Sequence, residues 1–106
     1  MVSPQKLRYV VLHHTGIDSP HFDLMFETAT NSNLATWRCP RWPPNPNDSF
    51  TPLGDHRSAY LEYQGEISNH RGQVARIASG ELLSLEISPH RLLITLDTAA
   101  RISLPR

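Results

Sequence analysis

The sequence predicts an all-β fold: a small β-barrel or rolled sheet of short strands, with one long proline-rich loop and little helix. Three observations lead there. Short apolar stretches rich in β-branched and aromatic residues recur along the chain, clusters of turn-forming residues separate them, and no stretch carries a convincing amphipathic helical period. With 106 residues, one domain spanning residues 1–106 and a modest core are expected.

Taken in order, "KLRYVVLHH" reads as a first strand and "TGIDSP" as the turn that follows. "HFDLMFE" alternates, with Phe22, Leu24 and Phe26 on one face and His21, Asp23, Met25 and Glu27 on the other. The pair forms a hairpin with a longer-than-minimal loop. "NLATWRCPRW" supplies a third short strand. From Pro40 to Pro52 the chain holds more than half of its nine prolines. Proline removes ladder donors and resists helix, so this stretch is expected as an ordered loop or a lid. In the second half, "SAYLEYQGEIS" alternates as a strand and "NHRG" turns. "QVARIA" and "LLSLEIS" read as two strands separated by a turn at "SGE", and "RLLITLD" and "RISL" complete the set. A helix capped by Ser79 over "SGELLSLEI" is the alternative, and the surrounding β-branched residues disfavour it.

Ten basic residues balance ten acidic ones. A long electrostatic footprint on duplex nucleic acid is therefore not expected, whereas the grip of a single terminal phosphate is compatible with this balance. All the basic residues except Lys6 are arginines, whose planar fork suits bidentate phosphate or carboxylate recognition. Cys39 is the one cysteine, which favours a reducing, cytoplasmic setting. No apolar run reaches bilayer length and the N-terminus lacks a signal-peptide pattern, so no membrane association is expected.

Half of the six histidines fall between positions 13 and 21. Residues two apart on a strand point the same way, so His21 and Asp23 can grip one ion together. A third ligand within hairpin reach is His13 or His14. Adjacent strand residues face opposite sides, so only one of that pair serves. Two imidazoles and one carboxylate leave positions open for water or a substrate oxygen, as metal catalysis requires. Downstream, His56 and Tyr60 are four residues apart, and an extended chain would place both on one face, where they can donate to phosphate oxygens or assist proton transfer. A non-haem iron oxygenase is a further reading of His21-x-Asp23 plus a later histidine, ranked lower because such enzymes usually need a larger scaffold.

The string "RYVVLHH…HFDLMFE…LATWRCPR…GDHRSAYLEYQGEI" resembles the 3′-phosphoesterase module of bacterial DNA ligase D, the end-processing part of a non-homologous end-joining ligase. The likeness covers roughly residues 8–77. It implies a small β-barrel in which His14, His21 and Asp23 hold a divalent metal, Mn²⁺ in that family. His56 and Tyr60 match the phosphate-contacting pair, Arg41 matches a basic position after the tryptophan segment, and Arg57 is a further phosphate candidate. The implied activity is removal of 3′-phosphates or 3′-ribonucleotides from nucleic-acid ends in DNA repair, with His56 able to protonate the leaving oxygen. The implied partners are DNA or RNA-tipped DNA 3′ ends and a DNA ligase. The family carries arginine where this chain has Met25. Arg57, Arg41 or Arg71 would then have to bring the cation from elsewhere; otherwise the expectation is an impaired relative that only binds phosphorylated ends or a partner protein.

Overall fold

The computed structural model describes residues 6–106; the first five residues of the N-terminal stretch read above lie outside the described residues. The chain is all-β. In order it forms β1 (Arg8–Thr15), β2 (His21–Glu27), β3 (Leu34–Cys39), β4 (Thr51–His56), a 3-10 turn over Ser58–Leu61, β5 (Gly65–Glu66), β6 (Gln73–Ile87), β7 (Arg91–Leu96) and β8 (Arg101–Pro105). One antiparallel sheet follows the order β4-β3-β2-β1-β6-β7-β8, with β5 paired to β6. It curls into a half-barrel.

The curl has a local cause. The first half of β6 pairs with β1 and its second half with β7. The register slips between Val11 and Leu12 on β1 and between Leu82 and Ser84 on β6. Such bulges bend a strand and raise its twist, so β7 and β8 fold over one face of β1–β3. Trp37 fastens the closure: its indole N–H donates to the Pro105 carbonyl oxygen at 2.7 Å, and its ring stacks on Phe26 with centroids 5.3 Å apart.

The fold buries apolar side chains on both sides of β1. Tyr9 and Val11 join Leu24, Phe26 and Trp37 in a core covered by β7 and β8. Val10 and Leu12 face the other way, into a smaller core with Met25, Leu34, Leu61 and Val74. A strand buried on both faces reads as a continuous apolar run rather than an alternation, which is the "YVVL" of the sequence.

Three expectations change. The strand read over "SAYLEYQGEIS" is a 3-10 turn, a short connection and the two-residue β5. β4, broken in composition by Pro52 and Gly54, lies partly inside the stretch read as loop. The turn read at "SGE" does not exist: Gln73–Ile87 is one strand of 15 residues, and no helix starts at Ser79. Gly80 sits in that strand because a Cβ there would fall on the Asp97 carboxylate. That carboxylate accepts from the Tyr9 hydroxyl at 3.1 Å and from the Glu81 N–H at 3.0 Å. Burial and the bond to Asp97 together push the Tyr9 phenol up to about 12. The segment after Pro40 is an ordered loop: Trp42 and Phe50 pack on the larger core, and Asp48 accepts from Arg41 at 2.8 Å and from the Asn45 N–H at 2.7 Å. No helix among the described residues is long and apolar enough to cross a membrane.

Glu27 closes β2 and is 1 % exposed. Its carboxylate takes the Arg8 guanidinium through both oxygens (3.0 and 2.9 Å), the Arg8 N–H (2.9 Å) and the Asn31 N–H (2.9 Å). The Arg8 side chain, above all, holds the Glu27 carboxyl below the usual carboxylate range. A carboxyl lowered in the folded state stabilises fully above its unfolded value, about 4.3, and that contribution is lost as pH falls towards the folded value. Glu27→Ala is therefore expected to lower stability by about 2 kcal/mol at pH 7. Urea denaturation followed from pH 7 to pH 3 checks this: the gap between wild type and variant should shrink as acid is added.

Candidate metal centre

The β1–β2 hairpin register decides which histidine joins the site. His14 lies directly opposite His21, and His13 opposite Phe22. His13 stacks on Phe22, with centroids 4.3 Å apart and planes 9° from parallel, on the other face of the sheet. His14 meets His21 edge-on at 4.9 Å. Asp23, two residues along β2, shares their face. His14, His21 and Asp23 each offer a ligand atom, and these atoms lie within 4.8 Å of one another. An ion about 2.1 Å from each ligand would hold them roughly 3–3.5 Å apart, so loading asks for a modest contraction.

The hydrogen bonds around the two imidazoles assign their free nitrogens. His14 Nε2 is 2.7 Å from the Arg71 carbonyl oxygen, and His21 Nδ1 is 2.9 Å from the Ser19 carbonyl oxygen. A carbonyl only accepts, so each of these nitrogens carries the hydrogen. In the neutral rings His14 Nδ1 and His21 Nε2 then hold the lone pairs. Metal-ligating histidines characteristically donate their other N–H in this manner. His21 Nε2 is buried and makes no hydrogen bond among the described residues. The Asp23 carboxylate oxygen Oδ2 stands 3.5 Å from it, too far for a good hydrogen bond. A buried polar atom left without a partner costs about 1–3 kcal/mol, and a cation accepting its lone pair removes that penalty. The donor set, two imidazoles and one carboxylate, suits a divalent transition ion with open positions.

The loop before β6 is tied to the same spot. Gly72 has φ +84°, and a Cβ there would collide with the Thr15 carbonyl oxygen and crowd His14 Nε2 at 3.1 Å. Only glycine lets the backbone come close enough for the neighbouring Arg71 carbonyl to accept from His14.

His56 and Tyr60 also meet, by a different route from the one expected. The chain is not extended from 56 to 60; His56 ends β4 and Tyr60 lies in the 3-10 turn. Their rings stand edge-on, 5.6 Å apart. His56 Nδ1 is 3.0 Å from the Thr36 hydroxyl oxygen and 3.1 Å from the Gly54 carbonyl oxygen. The Thr36 hydroxyl spends its own hydrogen on the Leu34 carbonyl at 3.0 Å, so both groups accept from His56 Nδ1–H and Nε2 is left for other chemistry. Thr36 pairs with Met25, one step of about 6.6 Å along β2 from Asp23. The pair and the trio thus occupy one face of the sheet.

The arginines divide. Arg41 is turned to Asp48 (2.8 Å). Arg71 donates Nε to the Ser68 carbonyl at 2.8 Å and Nη2 to the Ser68 hydroxyl at 3.0 Å. Arg57 and Tyr60 line a cleft of ≈ 770 Å³ together with Tyr63, His70 and Arg71. Arg38 went unnoticed in the sequence, yet it lies opposite Asp23 in the β2–β3 register, and its Nε is 3.3 Å from Asp23 Oδ1. Parity was the available signal: with Trp37 turned into the core, Arg38 must face the side of Asp23. Met25 is 2 % exposed and belongs to the smaller core. Cys39 is buried and on the opposite face from the trio; burial, with a smaller contribution from Asp23, pushes its thiol up to about 11. The chain matches no protein-family model, and no curated protein matches its sequence.

Proposed function

We propose that this protein is a metal-dependent phosphoesterase acting on the 3′ ends of nucleic acid, as the sequence resemblance to the ligase D phosphoesterase module implies. The observation that carries the reading is the buried His21 Nε2, unpartnered among the described residues and 3.5 Å from Asp23 Oδ2, in a trio with His14 whose ligand atoms lie within 4.8 Å of one another. His14 Nδ1, His21 Nε2 and an Asp23 oxygen would hold a divalent ion, Mn²⁺ by the family's precedent. When bound, such an ion supplies Lewis-acid polarisation of a phosphoryl oxygen.

The protein's own groups do the rest. The Ser19 and Arg71 carbonyls hold the two imidazoles in the ligating tautomer. His56, with Nδ1–H anchored on Thr36 and Gly54, presents Nε2 to the substrate; in its protonated form it hands Nε2–H to the leaving 3′ oxygen as the P–O bond breaks and a water forms the new bond to phosphorus, releasing inorganic phosphate. The Tyr60 hydroxyl, which makes no hydrogen bond among the described residues, is a donor to a phosphate oxygen. The cleft beside Tyr60 is the place for the nucleoside next to the phosphate. Release of a free 3′-hydroxyl prepares an end for joining, which makes a DNA ligase the natural consumer of the product.

The test is 3′-phosphate release from a short oligonucleotide in the presence of Mn²⁺. Wild type is expected to turn over, and His56→Ala to lose about 10²–10⁴-fold in kcat, the usual contribution of a general acid, while still taking up Mn²⁺. No release by the wild type would overturn the catalytic reading. A second reading, an end-binding protein without turnover, draws on the apolar burial of Met25 at the family's arginine position; it predicts tight binding of a 3′-phosphorylated oligonucleotide with no product.

A further inference from the structure

We propose that Arg38 is the anion-positioning residue of this site, gripping an oxyanion such as a phosphate that is held at the His14–His21–Asp23 centre; the proposal rests on the metal reading above. Strand parity makes the placement obligatory. Trp37 is locked into the larger core by its bond to Pro105 and its stack on Phe26, and Arg38, the next residue on β3, is thereby turned to the face that carries the trio. It stands directly across from Asp23.

The guanidinium is only partly used. Nε approaches Asp23 Oδ1 at 3.3 Å, while Nη1 and Nη2 make no hydrogen bond among the described residues. The side chain is 43 % exposed beside a carboxylate that is 6 % exposed. One edge of the fork therefore holds the buried carboxylate, with its Oδ2 turned towards His21 Nε2, and the terminal N–H groups remain for an incoming anion. The competing arginines are occupied or elsewhere. Arg41 holds Asp48, Arg71 holds Ser68, and Arg76 donates to the Leu61 carbonyl at 3.2 Å. Arg57 belongs to the cleft on the Tyr60 side. A cation at position 38, across from residue 23, stands on the same face as the apolar Met25.

Two ligands separate an anion role from a structural one. Arg38 carries positive charge next to a cation site, so its removal does not by itself weaken metal uptake; a residue that merely oriented Asp23 would cost about 10–100-fold in metal affinity. Isothermal titration is run first with Mn²⁺ on the metal-free protein, then with inorganic phosphate on the Mn²⁺-loaded protein. Wild type, Arg38→Ala, Arg38→Lys and, as a control for lost surface charge, Arg101→Ala are compared. The expected result is Mn²⁺ affinity within threefold of wild type for all variants, with phosphate affinity at least about tenfold weaker in Arg38→Ala, partly recovered in Arg38→Lys and unchanged in Arg101→Ala. Unchanged phosphate affinity in Arg38→Ala overturns the proposal. So does a loss of Mn²⁺ affinity in that variant as large as its loss of phosphate affinity, because that is the signature of a structural prop. A wild type that takes up no Mn²⁺ overturns the metal reading, and the anion role with it.

Discussion

His21→Ala is expected to abolish Mn²⁺ uptake and reduce 3′-phosphate release by about a thousandfold or more, since the Lewis acid and the geometry it imposes are lost together. The variant should nevertheless fold. It gives up one hydrogen bond, from Nδ1 to the Ser19 carbonyl, and some packing, but it also removes the buried Nε2 that no group among the described residues satisfies. These effects offset, so the change in unfolding free energy should stay under about 2 kcal/mol. A side chain that adds little to stability and everything to metal uptake marks a functional site. Calorimetric Mn²⁺ titration beside a urea melt measures both sides. Wild-type turnover by His21→Ala under Mn²⁺ would refute the assignment.

Met25→Arg is expected to cost about 3–5 kcal/mol without raising activity. The methionine is 2 % exposed and packs with Val10, Leu12, Leu34, Leu61 and Val74. None of these can pair with a guanidinium, and the carboxylates flanking it on that face, Asp23 and Glu27, already face Arg38 and Arg8, so a further charge in such surroundings is strongly destabilising. Urea denaturation reads the loss directly. A variant that kept its stability and gained orders of magnitude in activity would show that position 25 opens onto the substrate, and that the cation role lies there and not on β3.

Much of the fold was legible in the chain. The alternation of "HFDLMFE" placed β2 to the residue, and it separated Phe22, Leu24 and Phe26 from the face of His21 and Asp23. The all-β class followed from turn-punctuated short strands. What was not legible depended on partners distant in sequence. The choice between His13 and His14 needs the hairpin register, which "TGIDSP" does not specify because a loop of five residues, Gly16 to Pro20, admits more than one. β4 was hidden because Pro52 and Gly54 carry no strand propensity; it forms as an edge strand, where proline is tolerated. Gly80 reads as a turn signal until Asp97, seventeen positions on, is seen to occupy the space its side chain would fill. His56 and Tyr60 were paired for a wrong local reason, an extended chain, and are brought together by a strand end and a 3-10 turn. Arg38 was overlooked because local reading favoured the loop arginine Arg41, which is held by Asp48.

The central claim is that one cation sits between the side chains of residues 14, 21 and 23. The most direct measurement is a ¹H–¹⁵N spectrum of the histidine rings titrated with sub-stoichiometric Mn²⁺, whose unpaired electrons broaden the nearest nuclei first. The account predicts that the His14 and His21 ring signals vanish together at the lowest additions, ahead of those of His90, which lies in the turn between β6 and β7. Broadening that reaches His90 as early as His14 and His21, or that leaves those two sharp, would contradict it.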